Sequence, residues 1–153
     1  MKAIAVRGLS AAAMLSAPLL LCANAPGEAG SLDVAVSNVR SNNGRVSVSI
    51  CPESTYLKTC PYNFSAPART GTTIVTVPGL PFGTYAAQVF HDENDNKKVD
   101  RALFGVPKEG VGFSNDAPIN FAAPKFAAAK FRFAAPAQKI ALKLRYFLGK
   151  QGG

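Results

Sequence analysis

The chain has 153 residues, 48% of them hydrophobic and 17% charged, with ten phenylalanines and no tryptophan. That is the makeup of one ordinary globular domain, and it excludes a coiled coil, a disordered chain, a polytopic membrane protein and a multidomain enzyme. Seventeen Lys and Arg against nine Asp and Glu give a formal net charge of +8.

Residues 1–25 read as a secretory signal peptide. Lys2 and Arg7 form a positive head, Leu9 to Leu21 is an apolar stretch, and Ala23-Asn24-Ala25 is a small-x-small cleavage site. The apolar stretch is short of the roughly 20 residues a membrane-spanning helix needs. Leu21 is too large for the position before a lipidated Cys22. The expectation is a periplasmic or secreted protein beginning near Pro26, with no transmembrane segment in the mature chain. A short tail over 26–31, one domain over 32–147 and a flexible tail over 148–153 follow from the same reading. Loss of Lys2 and Arg7 leaves 15 basic residues against nine acidic, a net charge of +6. The two remaining cysteines, Cys51 and Cys60, are most simply a disulfide in an exported chain. Structural zinc wants four ligands, and His91 is the only histidine.

Along the expected mature chain the apolar period is two. Leu32, Val34 and Val36 form a first strand, and Val46, Val48 and Ile50, alternating with Arg45, Ser47 and Ser49, form a second. The turn signal Ser41-Asn42-Asn43-Gly44 between them predicts a hairpin. Thr72–Val77 is a β-branched strand closed by Pro78-Gly79. Tyr85, Ala87 and Val89 share one face of a strand ending at His91. Gly83-Thr84-Tyr85 at its start fits a tyrosine corner, in which the hydroxyl bonds back to upstream backbone. Phe131 and Phe133 mark a short strand, and Ile140, Leu142, Leu144 and Tyr146 the clearest strand of all. The segment 121–129 has room for one helical turn, limited by Pro124. About seven short strands divided by Gly/Pro turns predict an all-β, antiparallel β-sandwich with one long polar connection over 91–118.

That connection carries a resemblance. Tyr85-Ala-Ala-Gln-Val-Phe-His-Asp-Glu-Asn-Asp-Asn96, Asp100, and Phe104-Gly-Val-Pro-Lys-Glu-Gly-Val-Gly-Phe-Ser-Asn115 closely resemble the domain-of-unknown-function 2141 family over about residues 32–147. Gly79-Leu-Pro-Phe-Gly-Thr-Tyr85 also resembles a motif of immunoglobulin-like and transthyretin-like surface modules. The resemblance implies an exported bacterial β-sandwich and supplies no reaction.

Asp92, Asn94, Asn96 and Asp100 stand at relative positions 1, 3, 5 and 9, the spacing at which side-chain oxygens converge on calcium. Lys97 stands where such loops place glycine, and Leu103 where an EF-hand places its closing glutamate, so this is no EF-hand. The alternative is a metal-free loop of Asx-turns. His91 beside Asp92 reads as a structural histidine bonded to the following loop. A hydrolase would set it with Glu93 or Glu109, but no nucleophile motif accompanies them. Phe104 and Phe113, on glycine-flexed backbone that runs to Asn115, either form a lip that grips a sugar, a peptide or a lipid tail, or fold the loop back onto the sandwich. Lys139, Lys143 and Arg145 form a basic stripe suited to an anionic envelope polymer. Nucleic acid is a poor partner for an exported chain without a binding motif. The expected function is a non-enzymatic module of the envelope or extracellular space, binding a ligand or envelope protein through the 91–115 loop, with calcium as a candidate stabiliser. A purely structural accessory protein is the alternative.

Overall fold

The computed structural model describes residues 27–150, so the expected signal segment and residues 151–153 lie outside the described residues. Eight strands among the described residues form two sheets: β1 (Ala29–Val39), β2 (Arg45–Cys51), β3 (Tyr62–Pro67), β4 (Gly71–Pro81), β5 (Gly83–Asp92), β6 (Val111–Phe113), β7 (Phe131–Phe133) and β8 (Ala137–Lys143). One sheet runs β4-β1-β8; the other runs β3-β2-β5-β6, with β7 pairing the start of β5. β1 opens at Ala29, inside the stretch read as a tail. No described helix is long and apolar enough to cross a membrane.

The alternation read in the sequence builds the space between the sheets. Leu32, Val34 and Val36 of β1 meet Val46, Val48 and Ile50 of β2, together with Val75, Val77, Tyr85, Ala87, Val89 and Leu142. Each fully buried Val, Leu or Ile among them stabilises the fold by about 1.5–3 kcal/mol. The Tyr85 hydroxyl donates to the Pro81 carbonyl at 3.0 Å, four residues upstream, as the tyrosine-corner reading expects.

The expected β1–β2 hairpin does not form. β1 pairs with β4 and β8, whereas β2 pairs with β3 and β5. Both strands have one apolar face, and these faces oppose each other across the core instead of lying side by side. An alternating pattern with a turn between serves either arrangement, and interior packing selects this one. Gly44 makes the crossing tight. It has φ +65°, and a Cβ there would lie 1.8 Å from the Asp92 carbonyl oxygen at the end of β5. The sandwich also departs from pure antiparallel pairing, since β1 and β8 run parallel from Ser31↔Ala137 to Ser37↔Lys143.

A second apolar cluster comprises Cys51, Tyr56, Cys60, Ala86, Phe113, Ala117 and Ala129. Cys51 and Cys60 are joined by a disulfide, with Cα atoms 4.9 Å apart. The single helical turn α1 (Phe126–Ala129) closes this cluster through Phe126, whose ring meets Tyr56 edge-on at 5.5 Å.

Candidate functional site

Three neighbouring features occupy the long connection after β5: a buried polar knot, an Asx-rich loop and an apolar groove.

The knot begins with His91, wholly buried at the end of β5. Its Nδ1 lies 2.8 Å from the Tyr146 hydroxyl and its Nε2 lies 2.8 Å from the Asn43 carbonyl. The carbonyl can only accept, so Nε2 carries the proton and Nδ1 accepts from the tyrosine. His91 therefore bonds to the β1–β2 crossing and the C-terminal segment, where the sequence reading expected the following loop. Arg40 stacks over the Tyr146 ring, 4.4 Å from its centroid, and forks onto the Glu93 carboxylate, its Nε at 3.0 and 3.1 Å from the two oxygens. That pairing holds the Glu93 carboxyl below the ordinary carboxylate range and raises Arg40. Glu109 is buried, and burial pushes its carboxyl up. Its two oxygens accept the backbone N–H groups of Glu93 at 3.1 Å and Asp100 at 3.0 Å, tying both ends of the loop together. Burial also pushes the Tyr146 phenol up to about 12.

In the loop, the Asp92 carboxylate is buried and accepts the N–H groups of Asn96 at 3.0 Å and Lys97 at 2.7 Å. Asn94 and Asn96 accept from backbone two residues on, at 3.2 and 2.9 Å, the Asx-turn pattern. Both also donate their amides to Asp100, at 2.8 and 3.0 Å. The four side chains singled out for calcium thus lie in one network. Lys97 itself takes φ +63°, the left-handed backbone that calcium loops give to glycine at this position. Among the described residues no three His, Cys, Asp or Glu side chains converge on a common point, so an ion here would rely on the asparagine carbonyls.

The groove, of about 750 Å³, lies on the outer face of the second sheet. Ser49, Gln88 and Phe90 belong to its floor, and the segments 99–107 and 119–123 stand beside it. Phe104 and Phe121 are fully exposed, at 102% and 113%, and both sit on left-handed backbone, at φ +62° and +57°. Phe113, by contrast, packs into the second apolar cluster. Of the two expected lip aromatics, one folds the connection back and the other points outward. Asn115 braces the neighbouring turn by donating to the Lys130 carbonyl at 2.9 Å. The basic stripe is incomplete, since Arg145 turns to the carbonyls of Asp116 and Ala117 at 2.8 Å. Arg40 and Tyr146 escaped the sequence reading of the site because they come from distant segments, whereas Arg101 lies within the 91–115 loop and carried no motif of its own. Phe121 stood there only as part of a candidate helical turn.

Comparison with known proteins adds a family and no activity. The family model described as "Uncharacterized protein conserved in bacteria (DUF2141)" matches residues 34–141, which is most of the chain. No curated protein and no solved structure matches. The chain belongs to the DUF2141 family.

Proposed function

We propose that this member of an uncharacterised bacterial family is an exported, non-enzymatic binding module that takes its ligand in the groove beside the 99–107 segment. The observation that carries this reading is the pair of phenylalanines on its lips. A bulky side chain on left-handed backbone costs about 1–2 kcal/mol, and neither Phe104 nor Phe121 recovers that cost by burial. A ligand between them would supply the missing contacts. The groove volume lies within the usual range for small-molecule sites. Export is supported by the signal-like residues 1–25 and the disulfide. A binding role is favoured over hydrolysis because His91, Glu93 and Glu109 are each engaged by structural partners.

Calcium enters the proposal as a stabiliser of the Asx-rich loop, on the strength of the left-handed Lys97 and the convergence of Asn94, Asn96 and Asp100. With free ion tenfold above Kd, stability would rise by about 1.4 kcal/mol, a melting shift of roughly 3–6 °C that magnesium reproduces only weakly. A melting temperature unchanged between chelator and calcium removes the ion from the proposal.

The groove is tested with Nile red, a neutral apolar dye. Its fluorescence should rise with the folded protein and fall by at least half in Phe104→Ser and Phe121→Ser, whose melting temperatures should not drop. Dye binding indifferent to both substitutions refutes the site.

A further inference from the structure

The groove's chemistry narrows what can lie in it. Two donors on its floor are already committed. The Ser49 hydroxyl donates to Asn63 at 2.6 Å, and the Gln88 amide lies 3.0 and 3.3 Å from the two disulfide sulfurs. A sugar needs many well-placed hydrogen-bond partners, and this surface has few to give. An extended peptide would need an open strand edge. The nearest one, β6, is closed by reciprocal bonds between Val111 and Arg145, at 3.0 and 2.8 Å. What remains is mainly apolar surface between two aromatic lips, with the Asn120 amide beside Phe121.

One charge interrupts it. Among the described residues, Arg101 is the sole charged side chain on the groove wall and no carboxylate lines the cavity. One of its terminal nitrogens donates to the Gly105 carbonyl at 2.8 Å, which fixes the guanidinium at the lip beside Phe104. Arg101 is solvent-exposed, and a guanidinium carries five N–H donors arranged to fork onto a carboxylate. A cation at the rim of an apolar trough complements an amphiphile with a negative head.

We propose that the groove binds a single-chain acyl anion, with its alkyl chain between Phe104 and Phe121 and its carboxylate on Arg101. This rests on the groove being the ligand site and adds the ligand's class and orientation.

Dodecanoate and decanoate, held below their micellar concentrations, are titrated into the mature chain by calorimetry, with methyl dodecanoate as neutral control and Nile red displacement in parallel. The proposal expects one site per chain. Affinity should rise about two- to fourfold per methylene, and dodecanoate should bind about tenfold tighter than its methyl ester. Arg101→Gln keeps a donor for the Gly105 carbonyl and should erase that tenfold difference while leaving ester binding unchanged. Equal binding of acid and ester, or equal weakening of both by Arg101→Gln, overturns the headgroup assignment. Nile red bound in the groove but not displaced by dodecanoate overturns the acyl anion while the groove reading stands. Failure of the wild-type chain to bind either the dye or dodecanoate overturns the groove itself. Adsorption to phosphatidylglycerol vesicles without binding of monomeric dodecanoate also overturns the proposal, in favour of a membrane-surface role.

Discussion

The imidazole of His91 and the phenol of Tyr146 lie 2.8 Å apart, joining an inner strand of one sheet to the last buried segment among the described residues. The same hydroxyl accepts the Arg40 backbone N–H at 3.2 Å. Tyr146→Phe strands both partners, so a loss of about 1–3 kcal/mol is expected in urea unfolding. A loss below about 0.5 kcal/mol would show that His91 finds another partner.

Alkaline stability follows from buried phenols, and burial raises Tyr85 as well as Tyr146 and Tyr56. Burial pushes Tyr146 and Tyr56 up to about 12, from an ordinary value of 10.0. A folded value above the unfolded one means their contribution is complete below pH 10 and is lost as pH rises from there through 12. Unfolding midpoints should fall across that window, and less steeply in Tyr146→Phe and Tyr56→Phe. The share of phenolate absorbance that Tyr146→Phe or Tyr56→Phe removes is expected to appear together with loss of tertiary signal, not before it.

Glu93 and Glu109 pull in opposite directions. Arg40 holds Glu93 below 4.5, so its contribution is present above that pH and is lost as pH falls through its folded value. Burial raises Glu109, whose contribution is present below 4.5 and declines as pH rises through its own folded value. Glu93→Gln should flatten the acid limb of a stability–pH curve. Glu109→Gln should flatten the opposite limb, yet lower stability by about 1–3 kcal/mol, because an amide donor then faces one of two backbone N–H groups. Parallel curves for the wild type and both variants would contradict these assignments.

Lys97→Gly tests the loop. Removing the left-handed penalty offsets the added chain entropy of glycine, and a net gain of about 0.5–1 kcal/mol is expected. A thermal melt that moves down instead would mean that the lysine side chain contributes something beyond its backbone angle.

The disulfide closes a short loop, and the chain-entropy model assigns it about 2.5–3 kcal/mol. Reductant, or Cys51→Ala with Cys60→Ala, should lower the melting temperature. Nile red binding should weaken too, because Gln88 on the groove floor rests on both sulfurs. Unchanged melting would contradict the staple.

The strands most legible in the sequence were those whose apolar faces meet the main core, such as Ile140 and Leu142 of β8, because a two-residue period records one-sided burial. β3 was missed: Tyr62, Phe64 and Ala66 alternate, but they are only partly buried, and Pro67 blurs the signal. β6 was missed because three residues, one of them glycine, carry no period. Sheet membership was misread at β1 and β2 because alternation shows which face is buried and not which neighbour is paired. At the candidate site, Asp92, Asn94, Asn96 and Asp100 were legible as one local loop. The His91–Tyr146 and Arg40–Glu93 contacts span 55 and 53 residues, and no local pattern encodes them.

The parallel pairing of β1 with β8 has a kinetic meaning. Val34 sits beside Ile140, so the first strand in chain order must wait for the last described strand before both its edges are covered. Loop closure over such a span slows folding, because ordering entropy is lost before the contacts that repay it are made. A chain halted before Ala137 would carry β1 with an open edge and His91 without its tyrosine partner. Such a fragment would also lack Leu142, Leu144 and Tyr146 of the main core, so completion of this domain is tied to the arrival of its final strand.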